Sequence, residues 1–491
     1  MPVESMSREC FLQEYELDLD QEFELKGKPA AWAPGHGGPR IWGSEDASIA
    51  LSKDDPDKGN DDTATIALTW DERFLAVATN AVIRIYDVET KQKLAELIGH
   101  ASNVREMFFS ANEAGSYCLT DDHPAHARNA EYLLLSEGSE VGGRDGQMVL
   151  WHIDDQGRQI GRQMPFAVQT MADTAIEAIM PELADHHGLV GSDIEPVRGG
   201  FVEKLKEADT ANRVKDLSVW EGHFPSFGTE PISHDGKSFF YIAHGDSTQS
   251  GMRPADELPQ LVVVDMVTKT ERFRLKGHTD AIMWAGWSPD DTVIATASWD
   301  EHYRIWDAKT GACNHTIGPT DGQNWSGRFS PDGKYVCLSG GHPTKVAIYN
   351  CATGEDVAKL MKPGLELKDW VRSMVWNPNS REVAVLSDKR VILWKPFEGD
   401  VQVVFRLETG DSMLTRFNDL HEVRWVDSGE KLIVQDSEAT TFVWDKEKHV
   451  KWRFQRPKAT ELKGGIDVVF AALSQTVITL DGDGMVRFWK V

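Results

Sequence analysis

The sequence predicts an all-β fold built from repeated four-stranded units, and three observations lead to this prediction. Short strings of alternating apolar residues, most of them ending on an aromatic residue and a polar one, recur along the chain. In its second half the anchor residues of these strings lie 42 to 50 residues apart. Turn sequences such as "SPDG" precede most of the strings, and Pro and Asp favour a tight turn between two strands.

Eight such strings set the number of units. The clearest reads "YRIWD" at 303–307. The anchors are Tyr86, Trp151, Val264, Trp306, Tyr349, Trp394, Trp444 and Trp489. Because a strand, a hairpin, a third strand and a fourth fill one period, each unit is a blade, and the sequence predicts a β-propeller of eight blades. Seven blades remain an alternative if the weakest unit, around 227–265, packs differently.

Three segments outside the repeat are assigned from their composition. Residues 1–28 are expected to supply the outer strand of the last blade, because "DQEFELKGK" at 20–28 has the pattern of a fourth strand and an open edge there would favour aggregation. Residues 29–62, rich in Gly, Pro and Asp, are expected to form a flexible acidic loop. The propeller occupies 63–491. Helical spacing of apolar residues within 154–219 predicts a small helical insertion that docks on the propeller or binds a partner.

The strongest unit carries a specific set of residues. A "GH" dipeptide, an Asp six residues before a Trp and a closing "WD" stand at fixed spacing between 277 and 307. This pattern resembles the WD-repeat family, in which a His, a Ser or Thr, an Asp and a Trp form a hydrogen-bonded chain across each blade. The resemblance assigns this structural role to His278, Ser298, Asp300 and Trp306, and in the second unit to His100, Asp145 and Trp151.

Composition excludes several classes of partner. The chain has 52 basic and 78 acidic side chains, giving a formal net charge of −26. Such a field repels phosphate backbones and anionic lipid, so neither nucleic acid nor a membrane is expected as a partner. The five cysteines show no metal-type spacing, which favours reduced thiols in the cytoplasm, with the nucleus as an alternative.

Residues capable of catalysis are scarce. His123 and His126 lie beside Asp121 and Asp122, but a solvated polar loop explains them better than a metal site. Nucleotide-binding glycine motifs and hydrolase motifs are absent from the sequence. We therefore expect no enzyme activity, no metal and no cofactor.

The resemblance also implies a binding face. In WD-repeat proteins, residues just before the first strand of a blade, at its opening bulge and before the turn Asp commonly face the upper mouth of the ring. These positions hold Trp299, Met283, Trp325, His342, Trp370, Arg372, His421 and Arg105. Large rigid aromatic side chains and arginine are typical of binding hot spots. The tryptophans must be at least partly exposed for this interpretation to hold.

The sequence thus predicts a non-catalytic scaffold that binds a protein or peptide as a subunit of a complex. One alternative is an adaptor that presents substrates to a larger machine such as a ubiquitin ligase. A remoter alternative is an enzyme with an axial active site, which would need a cluster of carboxylates or histidines in the channel. Fold alone does not decide between these functions.

Overall fold

A computed structural model describes most of the chain, and it shows an all-β propeller of eight blades around one channel. Among the described residues the helical content is one 3-10 turn, Asp427–Gly429, and no helix has the length and apolarity to cross a membrane. The described ranges are 23–51, 64–100, 102–110, 130–139, 146–160, 218–243, 258–367, 370–379, 381–387, 389–407, 420–436, 440–457 and 465–491.

Successive strands of each blade pair antiparallel, and the first strands of blades 1, 2, 5, 6, 7 and 8 line the channel. Five short strands precede the first blade: β1 Glu24–Leu25, β2 Lys28–Pro29, β3 Ala31–Trp32, β4 Arg40–Ile41 and β5 Ala47–Ala50. Blade 1 contains β6 Ala64–Leu68, β7 Phe74–Thr79, β8 Val82–Asp87 and β9 Lys93–Ile98. Blade 2 contains β10 Val104–Phe109, β11 Ala130–Gly138, β12 Gln147–Asp154 and β13 Ser218–Glu221. Blade 3 contains β14 Ser238–Ala243, β15 Gln260–Asp265 and β16 Thr270–Leu275.

The second half of the ring follows the same order. Blade 4 contains β17 Ile282–Trp287, β18 Val293–Ser298, β19 Tyr303–Asp307 and β20 Cys313–Ile317. Blade 5 contains β21 Asn324–Phe329, β22 Tyr335–Gly340, β23 Lys345–Asn350 and β24 Asp356–Lys359. Blade 6 contains β25 Val371–Trp376, β26 Val383–Ser387, β27 Arg390–Lys395 and β28 Asp400–Arg406. Blade 7 contains β29 Leu420–Val426, β30 Lys431–Asp436, β31 Thr441–Asp445 and β32 Val450–Gln455, and blade 8 contains β33 Gly465–Ala471, β34 Thr476–Asp481 and β35 Met485–Lys490.

Blade 3 is the irregular one. Its sheet has three strands, and the place of an inner strand is marked only by two isolated bridges, His223 to Ile242 and Ile232 to Phe239. The chain between these bridges leaves the sheet. The eight-blade prediction is confirmed and the seven-blade alternative is wrong, because this unit still forms a sheet of its own.

The hydrophobic core is divided into clusters that lie between neighbouring blades. Alternation along each strand sends apolar side chains to both faces of a blade, and each face packs against the next sheet. Ile66 and Leu75 of blade 1 share a cluster with Leu480 and Phe488 of blade 8. Burying one such side chain contributes about 1.5–3 kcal/mol, so the contact between the first and last blades holds the ring closed.

The strand that completes blade 8 is β5, which pairs antiparallel with β35 and places Ile49 opposite Val486. The prediction that 20–28 takes this place is wrong. In that region β1 pairs with β2, and Phe23 packs between Phe405 of blade 6 and Trp444 of blade 7, with ring centres 5.0 and 5.1 Å away. The segment that contains Phe23 therefore packs between blades 6 and 7 and does not join blade 8.

The expected loop at 29–62 is also wrong over its described part. Residues 29–51 contain β3 and β4, which both pair in parallel with β32, because Ala30 and Ala33 bury in the clusters of blades 6 to 8. Residues 52–63 lie outside the described ranges. The predicted helical insertion at 154–219 falls mostly on 161–217, which also lie outside them.

Arg487 holds the N-terminal segment against blade 8. Its guanidinium donates to Asp481 at 2.7 Å and lies 3.8 Å from Glu45. The same group sits 4.1 Å from the ring centre of Trp42. The cation–π contact with Trp42 and the ion pair with Glu45 therefore attach the segment that precedes β5 to the last blade, while the hydrogen bond to Asp481 holds the guanidinium within that blade.

Replacing Ile49 with Ala should lower the free energy of unfolding by about 2–4 kcal/mol, because Ile49 is buried in the cluster between blades 8 and 1. Ser48→Ala, on the exposed side of the same strand, should change it by less than about 0.5 kcal/mol. Chemical denaturation of both variants measures the difference. Equal stabilities would show that β5 does not close the ring.

Candidate functional site

A buried hydrogen-bond chain shapes the upper end of blade 4. Nδ1 of His278 lies 2.8 Å from Oδ2 of Asp300, and Nε2 lies 2.7 Å from the Thr296 hydroxyl. The indole Nε1–H of Trp306 donates to the same hydroxyl at 3.0 Å. With His278 neutral and protonated on Nδ1, every group in this chain has a matching donor or acceptor.

The hydroxyl in this chain is that of Thr296, and the assignment of Ser298 to it is wrong. Both residues lie on one face of β18 because they are two positions apart. Ser298 stands closer to the strand end, where it donates to the Asp280 carbonyl at 2.8 Å and accepts from the Asp300 amide at 3.1 Å. These bonds fix the turn that carries Trp299.

Protonation states follow from burial. Burial lowers the pKa of His278, although the hydrogen bond to Asp300 opposes this change. Burial would raise the pKa of Asp300, but hydrogen bonds from His278 and from the amides of Thr279 and His302 lower it. The pair is therefore a neutral imidazole beside a carboxylate, which is a structural arrangement.

Blade 2 repeats the chain with a different hydroxyl. Nε2 of His100 lies 2.7 Å from Oγ of Ser136, and the Trp151 indole donates to the same oxygen at 2.7 Å. Ser136, in the second strand, was missed because the spacing of blade 4, with Ser298 two residues before Asp300, points in this unit to Gly143, which has no hydroxyl. Asp145 lies outside the described residues. Burial lowers the pKa of His100 to about 4.

Five of the predicted binding residues occupy one recurring place. Each lies in the β-bulge at the start of an inner strand, where the pairing register shifts. A bulge of this kind re-aims a side chain. These residues are Arg105, Met283, Trp325, Arg372 and His421. Arg105 and His421 are exposed and Met283 is half-buried, whereas the side chain of Arg372 lies outside the described part of the chain.

Four aromatic rings meet at this end of the propeller, and we call them the aromatic cluster: Phe227, Trp299, Trp325 and Trp370. Trp325 lies 5.3 Å from Trp299 and 4.3 Å from Trp370, measured between ring centres. Trp370 is 39% exposed, and Trp299 and Trp325 are half-buried. The tryptophans on blades 4 to 6 therefore meet the condition of partial exposure. His342, which follows blade 5's second strand, is exposed as well.

Phe227 belongs to the segment that leaves blade 3. Its ring centre lies 5.8 Å from that of Trp325 and 6.1 Å from that of Trp370. Phe227 and Gly228 both have positive φ, 58° and 75°, so the backbone reverses sharply here. Sequence patterns missed Phe227 because it lies in the weakest unit, away from any strand.

Trp325 and Trp370 are held by the residues that follow them. The Ser326 hydroxyl donates to the Val371 carbonyl at 2.8 Å and so joins the inner strands of blades 5 and 6. On its other side, a Cβ at Gly327 would lie 2.4 Å from the Trp284 ring of blade 4, so only glycine allows the inner strands of blades 4 and 5 to approach so closely. The two rings are therefore positioned by packed strands.

The central channel has a volume of about 1020 Å³, and five of its inner segments contribute charged side chains. Glu230 pairs with Arg328 at 2.8 Å, and Glu422 pairs with Arg424. Asp467 accepts from the Ile66 amide at 2.9 Å. These contacts join blade 3 to blade 5 and blade 8 to blade 1.

The channel carboxylates differ in their protonation. Burial and the nearby carboxylates of Glu137 and Asp467 raise the pKa of Glu106 to about 8, whereas Arg328 lowers the pKa of Glu230. Within the described ranges no three His, Cys, Asp or Glu side chains are placed to hold a metal ion. Carboxylates are thus present in the channel, as the enzyme alternative requires, but Glu230 and Asp467 join blades by an ion pair and a hydrogen bond, and Glu422 pairs with Arg424 of its own strand.

Comparisons with known proteins agree with this architecture. A family model described as "WD domain, G-beta repeat" matches residues 269–307 and 362–395, which cover blade 4 up to the end of β19 and most of blade 6. With eight blades and the His–hydroxyl–Trp chains in blades 2 and 4, the chain has the architecture of a WD-repeat β-propeller.

Several curated proteins are similar over part of their length. THO complex subunit 3 of Arabidopsis thaliana is 36% identical over 72 residues, which is 14% of this chain and 22% of that protein. The WDR12 homolog of Nematostella vectensis, a ribosome biogenesis protein, is 27% identical over 30% of this chain and 36% of its own. WD repeat-containing protein slp1 of Schizosaccharomyces pombe is 21% identical over 54% of this chain and 53% of its own. The matches to these three proteins thus span about half of each or less.

One solved structure resembles the whole propeller. The Chaetomium thermophilum protein Sqt1, whose crystal structure is described as bound to the N-terminus of the ribosomal protein L10, superposes with a TM-score of 0.55. The match covers 91% of this chain and 99% of that chain at 14% identity. This likeness shows the fold.

Thr296→Val should lower the free energy of unfolding by about 2–3 kcal/mol, because it leaves His278 and the Trp306 indole without their shared partner while keeping the side-chain volume. Thr316→Val, on the exposed outer strand of blade 4, should change it by less than about 0.5 kcal/mol. Urea denaturation provides the measurement. A Thr296→Val variant as stable as wild type would show that the chain does not stabilise the blade.

His100 should make stability depend on pH. In the folded state it stays neutral down to a pKa of about 4, whereas in the unfolded state it protonates near its usual value of 6.5. The unfolded state therefore binds more protons between these values, and stability falls as pH drops through this window. Between about pH 7 and pH 5 this residue should cost about 2 kcal/mol of stability.

Between about pH 7 and pH 5, the His100→Gln variant should lose about 2 kcal/mol less stability than wild type. His342→Gln changes an exposed histidine and should leave the loss as it is in wild type. Denaturation curves at the two pH values test both variants. An identical pH dependence in wild type and His100→Gln would contradict a neutral buried imidazole.

Proposed function

We propose that this protein is a non-catalytic interaction scaffold, a subunit of a complex, that binds a peptide or protein partner at the upper mouth of the propeller. The observation that carries the proposal is the aromatic cluster, in which rings from blades 3 to 6 meet and Trp370 remains 39% exposed. Arg105, His342 and His421 provide exposed polar groups at the inner-strand bulges and the neighbouring turn.

The physical basis is the energy that rigid aromatic side chains bring to an interface. A tryptophan buries a large apolar area while losing little conformational freedom, and such residues dominate the binding energy of many interfaces. Here the rings are already packed against one another at edge-to-face angles of 71° and 77°. A partner would therefore meet a surface that needs little ordering, which lowers the cost of association.

Two comparisons support a protein partner. The solved structure of Sqt1, which shares this fold, is described as bound to the N-terminus of a ribosomal protein. THO complex subunit 3 is by its name a member of a complex. By their descriptions both proteins associate with other proteins, and the same use is proposed for this chain.

The proposed compartment is the cytoplasm. Cys313, Cys337 and Cys351 are free thiols in the structure, and Cys337 and Cys351 are buried. Burial raises the pKa of Cys351 to about 12, which keeps its thiol protonated and unreactive. Thiols in this state fit a reducing environment.

Trp370→Ala should weaken binding of the partner by about 30-fold or more, since loss of a hot-spot tryptophan costs at least about 2 kcal/mol. The matched control is Trp70→Ala, which removes an equally exposed tryptophan, 46% exposed, from the turn after the inner strand of blade 1 at the opposite mouth. Affinity purification with quantitative mass spectrometry compares both with wild type, after thermal denaturation has shown that each variant folds. Partners lost from Trp70→Ala but kept by Trp370→Ala would place the binding face at the lower mouth.

A further inference from the structure

We propose that a second binding site lies on the lower face between blades 5 and 6, and that it takes a linear peptide in which a large apolar side chain stands next to a carboxylate. The site is independent of the aromatic cluster. It is built by the turns that follow inner strands β21 and β25 and by the turn between β27 and β28, which all lie at the end opposite the inner-strand bulges.

The cavity has the dimensions of a side-chain pocket. Its volume is about 190 Å³, enough for one large apolar side chain, and rings form most of its walls. These walls are Pro331, Tyr335, Trp376, Pro378 and Phe397. An opening of this size lined by rigid rings is suited to a single anchor residue, as in many peptide-binding grooves.

The walls are fixed before any ligand binds. Trp376 is buried, and its indole donates to the Arg328 carbonyl at 3.1 Å, which joins blades 5 and 6 beneath the pocket. Tyr335 and Phe397 pack with ring centres 5.0 Å apart. Phe397 is nonetheless 40% exposed, so an incoming apolar group would remove a large ring from water.

Arg381 determines the charge of the ligand. Its guanidinium lies 5.4 Å from the ring centre of Phe397, is exposed, and makes no hydrogen bond or ion pair with the residues that the structure describes. The nearby Asp332 carboxylate is already engaged, accepting from the Ser330 hydroxyl at 2.7 Å and the Lys334 amide at 3.2 Å. The donors of Arg381 are therefore available for a carboxylate, which the planar guanidinium binds through two parallel hydrogen bonds.

The acidic character of the whole chain does not oppose this assignment. At physiological ionic strength charges are screened beyond about 8 Å, so the charged groups at the pocket rim determine which ligand charge is favoured. A carboxylate carries one negative charge, whereas a phosphate carries nearly two and would face Asp332 more unfavourably. The rim therefore favours an Asp or Glu beside the apolar anchor.

Selection from a phage library of random linear peptides on the full-length protein tests the inference. We expect enriched peptides in which Phe, Leu or Met stands within two positions of Asp or Glu. Fluorescence anisotropy with an enriched peptide should show binding weakened at least about tenfold by Phe397→Ala and by Arg381→Gln. Arg381→Glu should prefer the same peptide with Lys in place of its acid, an exchange that a loss of folding cannot produce.

Trp370→Ala separates this site from the proposed upper one, because it should leave the affinity for the enriched peptide unchanged. Loss of binding in Trp370→Ala with retention in Phe397→Ala would overturn the lower site while supporting the upper one. A selection that enriches no peptide, or only peptides whose affinity is insensitive to Phe397→Ala and Arg381→Gln, also overturns it.

Discussion

Packing between neighbouring blades is the constraint on which this structure depends, because among the described residues every hydrophobic cluster lies between two blades. Each apolar cluster is shared by two adjacent sheets, from blades 1 and 2 around to blades 8 and 1. A twisted sheet with two apolar faces is stable only between two others. The ring must therefore close, and Ile49 in β5 is buried because the last gap has to be filled.

Within the closed ring, buried hydrogen bonds and an irregular segment determine the shape of the upper end of the propeller. The hydrogen-bond chain of His278, Thr296 and Trp306 gives buried donors their partners. A buried donor without a partner would lower the free energy of unfolding. The hydrogen bonds of Ser298, two residues further along β18, fix the turn that carries Trp299. Blade 3 has an inner strand reduced to two bridges, and the chain released from the sheet carries Phe227 to rings on blades 5 and 6. The upper surface thus combines a turn of the regular repeat, which carries Trp299, with the irregular segment of blade 3, which carries Phe227.

Sequence patterns could predict the repeat and the place of the bulges, since both follow from strand alternation and turn residues. The closing strand could not be predicted in this way, because "ASIA" at 47–50 buries one side chain and has no pattern that distinguishes it from a loop. The resemblance assigns the hydroxyl to Ser298, and sequence alone does not separate Ser298 from Thr296, because both lie on one face of β18 and only the contacts with His278 and Trp306 distinguish them. Phe227 contacts Trp325 and Trp370, which lie 98 and 143 positions further along the chain, a relation that no local pattern contains.

The upper cluster and the lower pocket are both built on blades 5 and 6, which raises the question of whether one could influence the other. Two hydrogen bonds tie these blades at opposite ends of their inner strands, from Ser326 to Val371 and from Trp376 to Arg328. Coupling between distant sites requires an element with two arrangements that both ligands bias. A pair of inner strands locked at both ends offers only one arrangement. The two surfaces should therefore bind their ligands independently, which suits a scaffold that holds two partners at once.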